Sequence, residues 1–310
     1  MKKIALFFLL VLIAHSLIAN DGAGNGISSS SSFVLQGSSL PEIKLGFVKQ
    51  FYFPFLQGEG PLTEGNNIEI ALTAELSPIS LNGLFETIWT PIAFFQLNAG
   101  GRIGSGWVIN LFGNDIYGIG LNRKGEGNKA EHDGKAFDGL FLRAHTGAAF
   151  QMDLAALFPG DWNHVILRSY HEINYFGYTR AAKHESWYID DNPDGDYCNG
   201  FNYYGNLVLG YQMPIFFNMV ALLAEGYLYL YDTPGRSQWR DDKIKWTFSG
   251  ILNFELGKKW SIALLTQFRT RINYTDPDWE DVYYRNRTIN EDDPVRLEFY
   301  RVAAIITLKL

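Results

Sequence analysis

The side chains best equipped for chemistry in this 310-residue chain are six histidines, one cysteine and several acidic runs. His132-Asp133, and His184 with Asp190-Asp191, supply the residue types with which a protease could activate water, but they fall in separate polar segments with no fixed spacing. His145 and His171 lie in alternating stretches, where an esterase would need a serine nucleophile beside the imidazole and an Asn or Asp to orient it. No serine stands in obvious register with either, so the chain does not read as an enzyme. The run Asp190-Asp191-Asn192-Pro193-Asp194-Gly195-Asp196 places oxygen ligands at alternate positions before a glycine, as a calcium loop does. The twelfth position counted from Asp190 is Phe201, where a bidentate Glu is required, and turn chemistry is the simpler reading. Tyr274–Pro294 carries Asp276, Asp278, Glu280, Asp281, Glu291, Asp292 and Asp293 against Arg285 and Arg287, and reads first as a solvated loop. No metal site and no cofactor follow from these patterns.

The elements that would hold these residues are unusual in composition. Aromatics make up 15% and charged residues only 19%, with 31 glycines, which suits many short strands. The formal charge is −7 and becomes more negative by two without Lys2 and Lys3, which excludes nucleic acid as a natural partner. With Cys198 alone there is no internal disulfide, so stability must come from pairing and burial. The start of the chain sets Lys2 and Lys3 before an apolar run from Ile4 to Ala14, too short for a spanning helix and right for a signal peptide over 1–20. Residues 21–42 are Gly/Ser-rich, with a serine run from Ser28 to Ser32, and are expected to form a flexible tail.

Ten amphipathic stretches follow, at 43–55, 66–78, 91–107, 137–152, 162–178, 199–213, 215–231, 243–256, 259–273 and 295–310. Most alternate cleanly: Ile68, Ile70, Leu72, Ala74 and Leu76 oppose Glu69, Thr73 and Glu75, for example. Two fit less well. Lys49 falls among Ile43, Leu45, Phe47 and Phe51 and would need a bulge or a shifted start, and 215–231 is apolar enough to compete as a helix. Connections after the second, fourth, sixth and eighth stretches are compact, with Asn82-Gly83 as a turn inside 77–90. Those after the third, fifth, seventh and ninth are long and polar, and 56–65 is placed with the long set. The last stretch, VRLEFYRVAAIITLKL, puts Tyr300, Val302, Ala304, Ile306, Leu308 and Leu310 on one face and Arg301, Thr307 and Lys309 on the other.

This terminal alternating strand resembles the closing strand of bacterial outer-membrane β-barrel proteins, although that family usually ends in an aromatic residue and this chain ends in Leu310. The resemblance covers about residues 43–310. It implies an all-β fold: a closed antiparallel transmembrane β-barrel of about ten strands, eight to twelve being compatible, with short periplasmic turns and long extracellular loops. It also implies outer-membrane lipid as surroundings and recognition of Tyr300, Val302, Ile306, Leu308 and Leu310 by the barrel-assembly machinery. Closure is obligatory there, because lipid offers backbone groups no partner. Trp89, Trp107, Trp162, Trp246, Trp260 and the many tyrosines become candidates for interfacial girdles.

The opposite faces would then line a lumen with Glu69, Glu75, Gln96, Asn98, Arg102, Arg143, His145, Arg168, Tyr170, Glu172, Glu225, Arg269, Arg271 and Arg301. Arginines beside acids predict a cross-lumen salt-bridge network and a plugged interior. The expected role is a structural or surface-interaction barrel whose acidic loops engage an extracellular ligand or divalent cations. The alternatives are a small channel with an arginine-rich lumen and a barrel hydrolase.

Overall fold

The computed structural model describes residues 26–310 except 41, 112, 190–191, 236–238 and 277–278, so the expected signal peptide and residues 21–25 lie outside the described residues. The strands are β1 (Ser28–Ser38), β2 (Glu42–Pro54), β3 (Asn67–Ser77), β4 (Ser80–Ile92), β5 (Phe95–Gly106), β6 (Val108–Leu111), β7 (Asn114–Tyr117), β8 (Ile119–Lys124) and β9 (Ala130–Asp133). They continue with β10 (Phe141–Asp153), β11 (His164–Tyr178), β12 (Trp187–Ile189), β13 (Asn192–Tyr197), β14 (Gly200–Gln212), β15 (Phe217–Tyr229), β16 (Lys245–Leu256), β17 (Trp260–Ile272) and β18 (Val295–Lys309). Twelve of them close into one barrel in the order β1-β18-β17-β16-β15-β14-β11-β10-β5-β4-β3-β2, every neighbour antiparallel.

All ten expected stretches are barrel strands, 215–231 included, and the count of about ten is corrected by two additions. The first is β1, which occupies most of the stretch expected to be a flexible tail. Its serines have a structural use: Lys49 points outward from β2 with no bulge, and its Nζ donates to Ser29 Oγ at 3.0 Å and Ser31 Oγ at 3.3 Å. A lysine on an apolar wall and a run of serines next to it thus satisfy each other.

The second is β4, taken in the sequence for a turn. Its inward face carries Leu84 and Ile88 beside Glu86, while Leu81, Phe85 and Trp89 point out, so neither face is uniformly polar and the alternation is hidden. The reversal lies at Pro78-Ile79, ahead of Asn82-Gly83. Adding β4 changes the direction of the strands before it, so the 55–66 loop sits at the end with the compact turns. Leu62 O accepts there from Ala93 N at 2.9 Å.

The four long connections do share one end. Out of them, β13-β12-β8-β9 form a four-stranded sheet in that order. Its Trp187 packs on Phe141 at 5.8 Å and Tyr178 at 5.9 Å, and Tyr197 on Phe176 at 5.7 Å and Tyr229 at 6.1 Å. Phe141, Phe176, Tyr178 and Tyr229 face inward from barrel strands, so the sheet is docked as a cap into the mouth. Tyr227, Tyr229 and Tyr231, counted among girdle candidates from the sequence, belong to this aromatic plug instead.

The closing strand also corrects an expectation. A bulge between Arg301 and Phe299 leaves Tyr300 as the extra residue, turned in against Arg269 (4.2 Å) and Arg301 (5.0 Å) rather than out with Val302, Ile306, Leu308 and Leu310. Pairing of β18 with β1 runs only from Ala303 to Lys309, whereas β17 accompanies β18 from Val295 to Leu308.

Candidate functional site

The interior of the barrel is divided lengthwise. On the β3–β11 side the inward positions are mostly polar. On β1, β2 and β14–β18 an apolar cluster of Val34, Val48, Val208, Leu223, Ile251, Leu265 and Ile305 covers much of the wall. The polar side is built by pairing large side chains with glycines on adjacent strands. A Cβ at Gly100 would run into the Glu86 carboxylate and His145, one at Gly104 into Asn82, and one at Gly147 would come within 2.7 Å of Asn98 Oδ1. The glycines, opposite those residues in register, make room for the network.

That network brings together most of the expected lumen residues. Arg143 is ion-paired with Glu172, which also accepts from Tyr170 OH at 2.7 Å and Asn174 Nδ2 at 2.9 Å. Asn98 donates to Glu86 at 2.7 Å and to Tyr170 OH at 2.7 Å, and His145 Nε2 meets Glu86 at 2.8 Å. A second group joins Glu75 to Lys44 (3.4 Å) and Asn82 (3.2 Å), with Arg102 Nε donating to Asn82 at 2.9 Å. On the far side Arg301, fully buried, donates to Gln267 at 2.5 Å and pairs with Glu42 at 2.9 Å. Arg269 and Arg271 share Glu298 at 3.0 and 3.4 Å, and Glu225 accepts from Tyr204 OH at 2.8 Å. Gln96 faces inward nearer the turn end, 3.4 Å from Thr90 Oγ1.

Glu69 and Arg168 stand apart. Both point inward, but neither joins the ion pairs among the described residues. Glu42, Lys44, Asn82, Glu86 and Glu298 were not singled out in the sequence as lumen residues. Asn82 and Glu86 were hidden with β4. Lys44 was obscured because Lys49 confused the assignment of faces in 43–55.

The histidines are accounted for differently. Asp133 is tied to Arg123 at 3.0 Å, and His132 packs on Tyr188 at 4.7 Å, so His132-Asp133 is part of the cap fold. Burial, with Arg287 nearby, holds the His132 imidazole below its usual range, and burial raises the Tyr188 phenol. The backbone carbonyl of His184 accepts from Arg285 at 2.6 Å, while Asp190 and Asp191 lie outside the described residues.

His171 does have a serine in register, contrary to the sequence reading. Its Nε2 lies 3.0 Å from Ser169 Oγ and its Nδ1 2.6 Å from Tyr203 OH, the order of nucleophile, base and third group. The trio faces outward, however, and His171 is the middle residue of the fifteen in β11. Among apolar neighbours the three groups satisfy one another's hydrogen bonds, which is a structural use.

No family model matches the chain, and no curated protein matches it. Among solved structures it is similar to CdiB from Acinetobacter baumannii, at 8% identity and a TM-score of 0.38. The match covers 92% of this chain and 60% of that one, so the chain spans about three fifths of that protein's length.

Proposed function

We propose that the protein is an integral outer-membrane barrel with a closed interior, whose capped end presents a surface for contacts. The observation that supports this most is the outer face. Leu76, Leu81, Ile103, Leu142, Phe201, Leu222, Phe248, Leu264 and Val302, from nine different barrel strands, are all between 37% and 65% exposed. At about 25 cal/mol per Å² of apolar area, a continuous belt of this kind is costly in water and natural in hydrocarbon. Trp162, Trp246 and Trp260, each at least 39% exposed, suit the edges of such a belt. In this reading the uneven ends favour an orientation with the cap outside the cell and the compact turns in the periplasm. Exposed Glu291-Asp292-Asp293 would meet cations or a basic partner there.

A channel fits less well. An anion pathway needs free positive charge facing the lumen, but Arg143 and Arg301 are each paired with an acid, Arg269 and Arg271 share Glu298, and the capped mouth is packed with aromatics. Purified protein should require detergent, migrate faster in gels when unheated than when boiled, and give a flat current trace in planar bilayers. Solubility without detergent would remove the membrane reading. Steady conductance from the intact protein would remove the closed interior.

A further inference from the structure

The hydrogen bonds from Lys49 to the serines of β1 leave donors over. An ammonium has three N–H groups, and those to Ser29 Oγ and Ser31 Oγ use two of them. Each serine oxygen accepts from the lysine and keeps its own O–H proton to give to a third group. The ammonium also lies 5.5 Å over the ring of Phe51, and among the described residues no carboxylate pairs with it. One positive charge with three donors grouped around it, on an outward face, is a set that an anion completes.

The wall beside Lys49 has room for the rest of such a ligand. A groove of about 600 Å³ runs across the outer face of β2–β5, with the Lys49 stem in its lining. Phe47, Leu72, Phe85 and Ile103 stand around Gly83 and Gly101, and a Cβ added at Gly83 would meet nothing closer than Ile103, at 3.8 Å. Lys49 is level with Leu72 and Phe85, and its ammonium reaches to Ser29, the partner of Phe51, nearer the compact turns. Phe47, Gly83 and Ile103 lie on the other side of that level, toward the capped end. The charge thus sits at the turn end of the groove and the apolar part extends away from it. In the membrane reading, on which this inference rests, a lipid of the turn-side leaflet has the same polarity, its headgroup toward the turns and its chains toward the bilayer centre. We propose that Lys49, Ser29 and Ser31 bind the phosphate of an anionic phospholipid, one acyl chain of which lies in the groove around Gly83. A phosphodiester brings one charge for one lysine and acceptor oxygens for all three donors. The groove gains nothing there from excluding water, so its share is contact between chain and side chains.

Titration of the refolded full chain in maltoside micelles with phosphatidylglycerol, read by native mass spectrometry, tests the site, and heat-dependent gel migration reports separately on the folding of each variant. Lys49→Met should weaken phosphatidylglycerol at least roughly tenfold, the worth of a charge-assisted contact, and Lys49→Arg should retain most of the affinity. Gly83→Leu keeps the charge, fills the groove and should weaken the same lipid about threefold or more through lost contacts. Diacylglycerol with the same chains should bind the native protein far more weakly, and glycerol 3-phosphate should not displace phosphatidylglycerol. Equal phosphatidylglycerol binding by Lys49→Met, or diacylglycerol binding as tightly as phosphatidylglycerol, would overturn the proposal. Unchanged binding by Gly83→Leu, or displacement by glycerol 3-phosphate at equal concentration, would overturn the part that concerns the chain. Either failure in a protein that needs detergent and shifts on heating removes the lipid site alone, whereas solubility without detergent is the separate failure of the membrane reading.

Discussion

The two sides of the barrel interior solve the same packing problem with opposite chemistry. On β3–β11, glutamates, asparagines and arginines fill the space beside inward glycines, and each charge in the network depends on its neighbour. On β14–β18 with β1 and β2, valine, leucine and isoleucine fill the part toward the compact turns, beneath the Arg301–Gln267–Glu42 group, and depend only on volume. The first arrangement should therefore fail through single unpaired charges, the second through cavities.

The largest effect should come from breaking a pair on the polar side. Glu172→Ala leaves Arg143 buried without its acid and should lower unfolding stability by about 3–5 kcal/mol, measured by urea titration in detergent. If instead both partners are replaced, as Arg143→Met with Glu172→Leu, most of that loss should vanish, and a double variant as damaged as the single one would count against the pairing argument. On the apolar side Leu223→Ala should cost about 2–4 kcal/mol, with no recovery from changing any charged residue.

A smaller effect concerns the cap that sits above both sides. His132 is held below its ordinary pKa in the folded cap, so the unfolded cap takes up the proton first. Its contribution is present above about pH 6.5, the usual value for histidine, and is lost as pH falls below it. Limited proteolysis of the 107–140 connection should speed up as pH drops through that range, and His132→Phe should flatten the dependence. The smallest effect is outside: Ser29→Ala with Ser31→Ala removes both acceptors of Lys49 and should cost about 1 kcal/mol in detergent and leave the interior unchanged.

The same contrast explains what could be read from the residues. Where an apolar outer face meets a polar inner one, as in β3 or β16, period-two alternation marks the strand and its inward residues directly. Where the inner face is apolar too, the signal fades. The stretch 215–231 resembled a helix because Met219, Ala221 and Leu223 line the interior while Val220 and Leu222 face out. β4 vanished for the same reason, through Leu84 and Ile88, and took Glu86 and Asn82 with it. β1 was missed because serine content suggests disorder, and only its neighbour Lys49 gives those serines a use. Tyr300 was turned to the wrong face by a bulge, which adds a residue without any mark in the sequence. The cap could not be foreseen at all, since its sheet is assembled from segments about sixty residues apart.

The brief seam between β1 and β18 has a mechanical meaning. Ser32–Ser38 clasp only the lower stretch of the final strand, so fewer backbone links hold the cylinder shut there than at most other junctions around it. Under heat, force or denaturant the wall should part along that line first, with the amino-terminal hairpin peeling away while the aromatic lid still grips the opposite side.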